Sequence, residues 1–396
     1  MEAKKKCVVC IGCGRCGENP RDLQIITDSF LKSELLSVDS ADKGSFVIAD
    51  IGTTTIAMEV YDELGEKLEQ YVKPNPQRVF GRDVISRIQA AERPLVAKQM
   101  QSLVKQELMQ GLEEFREKGI DIRNIYVAGN TTMLYLLLGY DPTELGYAPF
   151  KASHLESEEI ELGEWISHVL PGLSAFVGSD ILAGILASGM AQKESISLLI
   201  DLGTNGEMVL GNREKMSACA TAAGPAFEGM LEEGRKALWG ADLVKIIAEL
   251  LDRGILDETG LLAEPYFKEG VTIAGVQITQ EHVRNLQTAK AAIAAGIEIL
   301  AKEYGITIGD IEQVYLAGGF GYFLEEEPAI GIGLLPKDLR GKVQSVGNSA
   351  LAGCYAYHFD RKAEEKITRI KDVTRVMNLA NTKGFAEIFI NHMNFN

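Results

Sequence analysis

"FVIADIGTTTIAMEVYD" runs from Phe46 to Asp62, and "ISLLIDLGTNGEMVLGN" runs from Ile196 to Asn212. The two stretches share one construction: an apolar strand, an Asp, a Gly, hydroxyl or amide residues, then a second apolar strand. Asp50, Gly52 and Thr53 correspond to Asp201, Gly203 and Thr204. In the first copy, the pattern predicts strands over Phe46–Asp50 and Ile56–Tyr61, with "DELG" closing the next hairpin. One D-x-G-T is compatible with an ordinary tight turn. Two copies about 150 residues apart point to an internal duplication.

Working outward, each hairpin is followed by strand-to-helix crossovers. After the first come a long helical region over roughly Asp83–Lys118 and "IRNIYVAGNTTM" (122–133), a strand running through a glycine turn into a helix. "SAFVGSDILAGILASGM" (174–190) repeats that strand–turn–helix grammar. After the second hairpin come "EQVYLAGGFG" (312–321), a strand ending in glycines, and "VQSVGNSALAGCYAY" (343–357), read as a last strand and its helix. The reading is an α/β chain with two repeated halves: 46–190 as a first lobe and 191–396 as a second, the C-terminal helices packing back on the first.

These residues suit a nucleotide. Glycines at a hairpin apex let backbone N–H groups approach phosphate oxygens, and neighbouring Thr or Asn side chains add donors. Thr53 and Thr54 would serve with Gly52 in the first loop; Thr204 and Asn205 would serve with Gly203 in the second. Asp50 and Asp201 would face each other across a cleft, hold Mg²⁺ directly or through water, and position an attacking water. Gly318, Gly319 and Gly321 would pass close to the α-phosphate and sugar. In "AAGPAFEGM" (222–230), Gly224 makes a turn, and Phe227 and Glu228 either flank base and ribose or pack a helix start. Ser179 and Asp180 either line the cleft or cap a helix.

With 396 residues, 46% apolar, the chain can bury a large core. A formal charge of −16 argues against nucleic acid as a partner. No run of 18 apolar residues and no signal-peptide core behind the first lysines are found, so the expectation is a cytoplasmic protein without a membrane span.

Four of the six cysteines stand at three-residue intervals near the N-terminus: Cys7, Cys10, Cys13 and Cys16. In a reducing compartment such spacing reads as metal or cluster ligands. A single [4Fe–4S] cluster bound by all four is one reading, with Gly12, Gly14 and Gly17 allowing tight wrapping and Lys4, Lys5, Lys6 and Arg15 offsetting its charge. A tetrahedral Zn–S₄ site is the other. Residues 1–20 form this segment and 21–45 a linker. Cys219 and Cys354 read as small buried residues. The five histidines show no metal-binding spacing; His282 reads as a helix cap or a partner contact.

The paired hairpins followed by "AGGFG" resemble the acetate and sugar kinase, Hsp70 and actin superfamily. More closely, residues 46–390 resemble the C-terminal ATPase domain of the reductive activators of corrinoid proteins. The phrases that carry the likeness are "IADIGTTTIAMEVYD", "VAGNTTM", "DLGTNGEMVLGN", "CATAAGPAFEG", "GVQITQEHVRNLQTAKAAIAAGIEIL", "YLAGGFG" and "GNSALAG". The resemblance implies a two-lobed actin-like fold of duplicated ribonuclease H-like domains. It implies ATP hydrolysis coupled to reduction of Co(II) corrinoid to Co(I), a corrinoid protein as partner, a low-potential electron donor and a homodimer. Longer members carry a [2Fe–2S] domain, a linker and a middle domain ahead of the ATPase; here the four-cysteine segment and a short connector stand in their place. "SACATAAGPAFEG" is similar to a segment of the ATP-dependent activators of 2-hydroxyacyl-CoA dehydratases, which makes another metalloenzyme an alternative acceptor. A small-molecule kinase and an ATP-gated module with structural zinc are further alternatives.

Overall fold

A computed structural model describes residues 44–203, 205–221, 240–273 and 276–395. Two six-stranded sheets organise them. The first is built from β1 (Ser45–Ile51), β2 (Thr55–Tyr61), β3 (Lys67–Pro74), β4 (Ile122–Gly129), β5 (Glu158–Leu162) and β6 (Trp165–Val169), in the order β3-β2-β1-β4-β6-β5. The second comprises β7 (Ser197–Leu202), β8 (Gly206–Gly211), β9 (Met216–Thr221), β12 (Gln313–Ala317), β13 (Val343–Gly347) and β14 (Thr374–Met377), in the order β13-β12-β7-β8-β9-β14. A separate short pair joins β10 (Val271–Ile273) to β11 (Val276–Ile278).

The sheets repeat one plan. β1 pairs antiparallel with β2 and parallel with β4, and β7 does the same with β8 and β12. The register also repeats. Asp50 lies beside Ala128 of β4, and Asp201 lies beside Ala317 of β12. Each of these alanines precedes a glycine: a Cβ on Gly129 would sit 2.7 Å from the Ile51 carbonyl oxygen, and one on Gly318 would sit 2.5 Å from that of Leu202. The duplication read in the hairpins therefore extends to the crossover strands.

Side-chain alternation fixes which face each Asp occupies. Val47, Ala49 and Ile51 pack with the helices Pro94–Glu117 and Thr131–Leu138 on one side of the first sheet. Phe46 and Ile48 pack on the other side, against Leu351, Cys354, Tyr355 and Phe359 of the helix Ser349–Phe359. Asp50 belongs to that second face. In the second sheet, Leu198, Ile200 and Leu202 face the helices Gly240–Asp252 and Gln280–Tyr304, whereas Leu199, and with it Asp201, faces the helix Ser179–Ser188. Both inner helices lie between the sheets and touch both: Ala183 of Ser179–Ser188 packs with Phe46 and Ile48 as its neighbours pack with Leu199, and Ser349–Phe359 sends Leu351 and Tyr355 to the first sheet and Ala352 and Ala356 to the second. They cross where a Cβ on Gly353 would sit 2.2 Å from the Ala183 carbonyl oxygen, so only glycine allows this approach.

Two sequence expectations need correction and one gains detail. The helical region expected over roughly Asp83–Lys118 is present as two helices, Val84–Ala91 and Pro94–Glu117, because Pro94 lacks an N–H and disfavours helical geometry at Arg93. Residues 174–177 are not a strand; Ser174 Oγ accepts from the N–H groups of Phe176 and Val177 and bends the chain instead. β13 is not the last strand, since β14 follows and pairs in parallel with β9. Cys219 and Cys354 are free and buried, and His282 Nδ1 accepts from the Thr279 N–H in a capping box, as read. Among the described residues no helix is long and apolar enough to cross a membrane.

Candidate active site

The first hairpin loop is held from behind. Asn75 Nδ2 donates to the Gly52 carbonyl at 2.8 Å, and the Asn75 N–H donates to the Thr54 carbonyl at 2.8 Å. Arg87, fully buried, donates from Nη2 to the Thr53 carbonyl at 2.6 Å and from Nε to the Gly81 carbonyl at 3.0 Å. The Gly52 N–H closes the turn on the Thr55 carbonyl at 2.9 Å. In a trans peptide the C=O and N–H groups point opposite ways, so the amides of Thr53, Thr54 and Thr55 are turned away from these braces. In the second hairpin the Gly203 N–H bonds to the Asn205 carbonyl at 3.0 Å.

Both aspartates meet the start of one helix. Asn348 Nδ2 donates to Asp50 Oδ2 at 2.7 Å, and Ser349 Oγ donates to Asp201 Oδ2 at 3.4 Å. Asn348 is also the helix cap, its Oδ1 accepting from the Leu351 N–H at 2.8 Å. Asp180, in the first turn of Ser179–Ser188, and Glu207, opposite Asp201 across the β7–β8 pair, complete a group of four carboxyl groups.

Their electrostatics follow from burial and mutual repulsion. Asp50 is pushed up to about 7 by burial and then by the Asp180 charge, while the Asn348 bond pulls the other way. Asp201 rises to about 8 through burial, then Asp180 and Asp50, with the Ser349 bond opposing. Asp180 rises to about 6, mainly by burial. Glu207 is raised well above the usual carboxylate range by burial, then by Asp180 and Asp201. Such a group favours a cation near it. Yet among the described residues no three or more His, Cys, Asp or Glu side chains stand close enough to chelate a metal ion directly.

Of the expected site residues, Asp50, Gly52, Thr53 and Thr54 share the first hairpin, and Asp201, Gly203 and Asn205 the second. Gly318 adopts φ +82°, and a Cβ there would also strike Asp201 Oδ1 at 2.6 Å, which ties the glycine turn to the second hairpin. Gly319 faces open space, and Gly321 is in ordinary contact range of Leu316. Thr204, Gly224, Phe227 and Glu228 lie outside the described residues, as do Cys7, Cys10, Cys13 and Cys16.

Asn348, Ser349 and Glu207 were missed as site residues. Asn348 and Ser349 stand after a strand and a glycine, the position of a helix cap. Glu207 is a lone carboxylate in the otherwise apolar "GEMVLG", a pattern worth suspicion in itself. Asn75 and Arg87 gave no local signal.

Family models match nearly everything after the linker: one described as the RACo middle region matches residues 46–193, and one described as the C-terminal domain of RACo, the ASKHA domain, matches 195–241 and 230–396. The chain belongs to the RACo family of corrinoid reductive activators. It is an ATP-dependent activator of the ASKHA superfamily. The corrinoid activation enzyme RamQ of Eubacterium limosum is 31% identical over 438 residues, covering 93% of this chain and 73% of that protein. A Co(II) methylated amine-specific corrinoid protein reductase of Methanosarcina barkeri is 27% identical over 281 residues, covering 59% of this chain and 51% of that one. The solved structure of a reductive activator for corrinoid, iron–sulfur protein superposes with a TM-score of 0.78 at 30% identity, covering 90% of this chain and 67% of that one. One expectation is overturned. The RACo middle region is not replaced by a connector here; it is the first lobe itself.

Proposed function

We propose that this RACo-family chain binds Mg·ATP between its lobes, hydrolyses it, and uses the cycle to drive one-electron reduction of a Co(II) corrinoid protein to Co(I). The observation that carries the reading is the contact of one helix start with both hairpin aspartates. Any ligand that engages Asp50 and Asp201 together acts on both lobes at once.

In this reading Gly52, Thr53 and Thr54 on one side, and Gly203, Thr204 and Asn205 on the other, offer amides and hydroxyls to the phosphates. Gly318, Gly319 and Gly321 lie along the adenosine, with Gly224, Phe227 and Glu228 at base and ribose. Asp50 and Asp201 would hold Mg²⁺, directly or through its waters, the second being a mode the ion favours because it dehydrates reluctantly. The same carboxylates would orient the attacking water, and a bound Mg²⁺ would supply charge neutralisation at the phosphoryl oxygens.

The four thiols Cys7, Cys10, Cys13 and Cys16, in residues 1–20 and joined by the 21–45 linker to the lobes at 46–190 and 191–396, would ligate a [4Fe–4S] cluster, which supplies a one-electron carrier when bound. A low-potential donor provides the electron, Co(II) receives it, and ATP hydrolysis supplies the free energy. The protein works in the cytoplasm as a homodimer.

Anaerobic purification tests the reading. Iron and sulfide at about four each per chain are expected; one zinc and no colour would remove the redox role. With a cognate corrinoid protein and a low-potential donor, Co(I) should appear only when ATP is added. Reduction at the same rate without ATP would overturn the proposal. Asp50→Ala and Asp201→Ala should each abolish hydrolysis in a folded protein. Cys10→Ala should lose the cluster and keep ATP binding measurable by calorimetry.

A further inference from the structure

The helix Ser349–Phe359 touches the candidate nucleotide site at one end and a distinct aromatic cluster at the other. Its 11 residues span about 16 Å. At its far end the His358 ring stacks on Phe46 with centroids 3.8 Å apart and planes 15° apart. Phe359 meets Phe46 edge-on at 5.3 Å, and Tyr355 meets Tyr61 edge-on at 5.0 Å. Tyr355 Oη donates to the Gly65 carbonyl at 3.2 Å, and His358 Nδ1 lies 3.3 Å from Tyr126 Oη. Phe46 is the second residue of β1. The segment that carries Cys7 to Cys16 precedes β1 in the sequence.

We propose that Asn348 is a positioning residue for the nucleotide reaction, and that the helix behind it reports the state of Asp50 and Asp201 to the aromatic cluster where the N-terminal chain joins β1. The inference rests on the nucleotide reading above and supplies that reading with a route for coupling. Asp50 Oδ2 accepts from the Asn348 amide, and a ligand engaging Asp50 would draw on the same carboxylate and so loosen or redirect that bond. When the bond to Asn348 is exchanged, the cap on Leu351 goes with the same side chain, so the first turn must readjust. The Gly353–Ala183 crossing leaves no slack at mid-helix, because a close-packed contact transmits a shift rather than absorbing it. The displaced end is the one packed on Phe46, and its partners are rings whose stacking depends on geometry. The physical content is a two-state element biased at one end and read at the other.

Hydrogen exchange on the full chain, with and without Mg·ADP, tests this. In the wild type, nucleotide should alter exchange both at the Asp50–Thr54 loop and at Phe46–Ala49 with Tyr355–Phe359. Asn348→Ser keeps a capping oxygen but removes the amide donor; it should retain the response at the loop and lose the response at the far end. His358→Ala, remote from the nucleotide, should leave nucleotide affinity unchanged and lose the far-end response at Phe46–Ala49. An undiminished far-end response in both variants, or none in the wild type despite nucleotide binding, would overturn the inference and leave the function untouched. Failure of the wild type to bind Mg·ADP would instead overturn the function and the inference together.

Discussion

Asp201 shows how much chemistry one buried carboxyl group concentrates. Its proton is held from the ordinary value of 3.8 up to about 8, by burial first and by Asp180 and Asp50 next. Between those values the native chain keeps a proton that the unfolded chain has lost. Native binding of the extra proton makes stability greatest at the acid end of that window; it falls as pH rises and the loss is complete above about 8. Thermal melts of the nucleotide-free protein should therefore decline with pH more steeply than those of Asp201→Asn, and Mg·ADP should flatten the wild-type curve by compensating the charge. Equal slopes for the two proteins would contradict the placement of this carboxyl group. Because Asp50 is raised to about 7 in the same cluster, the titration belongs to the group and not to one residue.

The hairpins and glycine turns were legible in sequence because each is a local object: apolar alternation, then an Asp, then a glycine. What escaped was long-range. Nothing near Arg87 hints that its guanidinium reaches Thr53, and the Asn348 amide crosses 298 positions to reach Asp50. The Ser174–Val177 bend was misread because a short apolar run does not say whether a sheet edge is free to receive it. Glycine roles divide the same way. Gly318 and Gly319 look alike in "AGGFG", yet one is wedged against Leu202 and Asp201 at positive φ and the other is open. Gly318→Ala should lower unfolding free energy by about 2 kcal/mol or more. Gly319→Ala should stay within about 1 kcal/mol of wild type in urea unfolding, while weakening ATP in a titration, since its methyl group enters the space assigned to the nucleoside. A stable Gly318→Ala protein would show that the turn is not held as described.

At the scale of the whole molecule, the two halves that the sequence divides near residue 190 are not separable bodies. Phe46, Ile48 and Ala128 share one core with Leu351, Tyr355 and Phe359, and Leu199 and Val209 share another with Ile181 and Ile185. Calorimetry of the nucleotide-free chain should accordingly give one transition for residues 44–395, with calorimetric and van't Hoff enthalpies in agreement; two resolved transitions would show that the lobes melt apart. The helices shared between the sheets also bear on the making of the protein. A ribosome that has just released the first lobe leaves the Phe46–Ile48 face of β1 and β4 with only part of its cover, Ala183 included, until the helix ending at Phe359 emerges, roughly 170 residues later. At about 5–20 residues per second that interval lasts roughly 10 to 30 s. For that time the nascent chain carries a partly uncovered apolar sheet, the kind of surface a holding chaperone binds, long before it can bind a nucleotide.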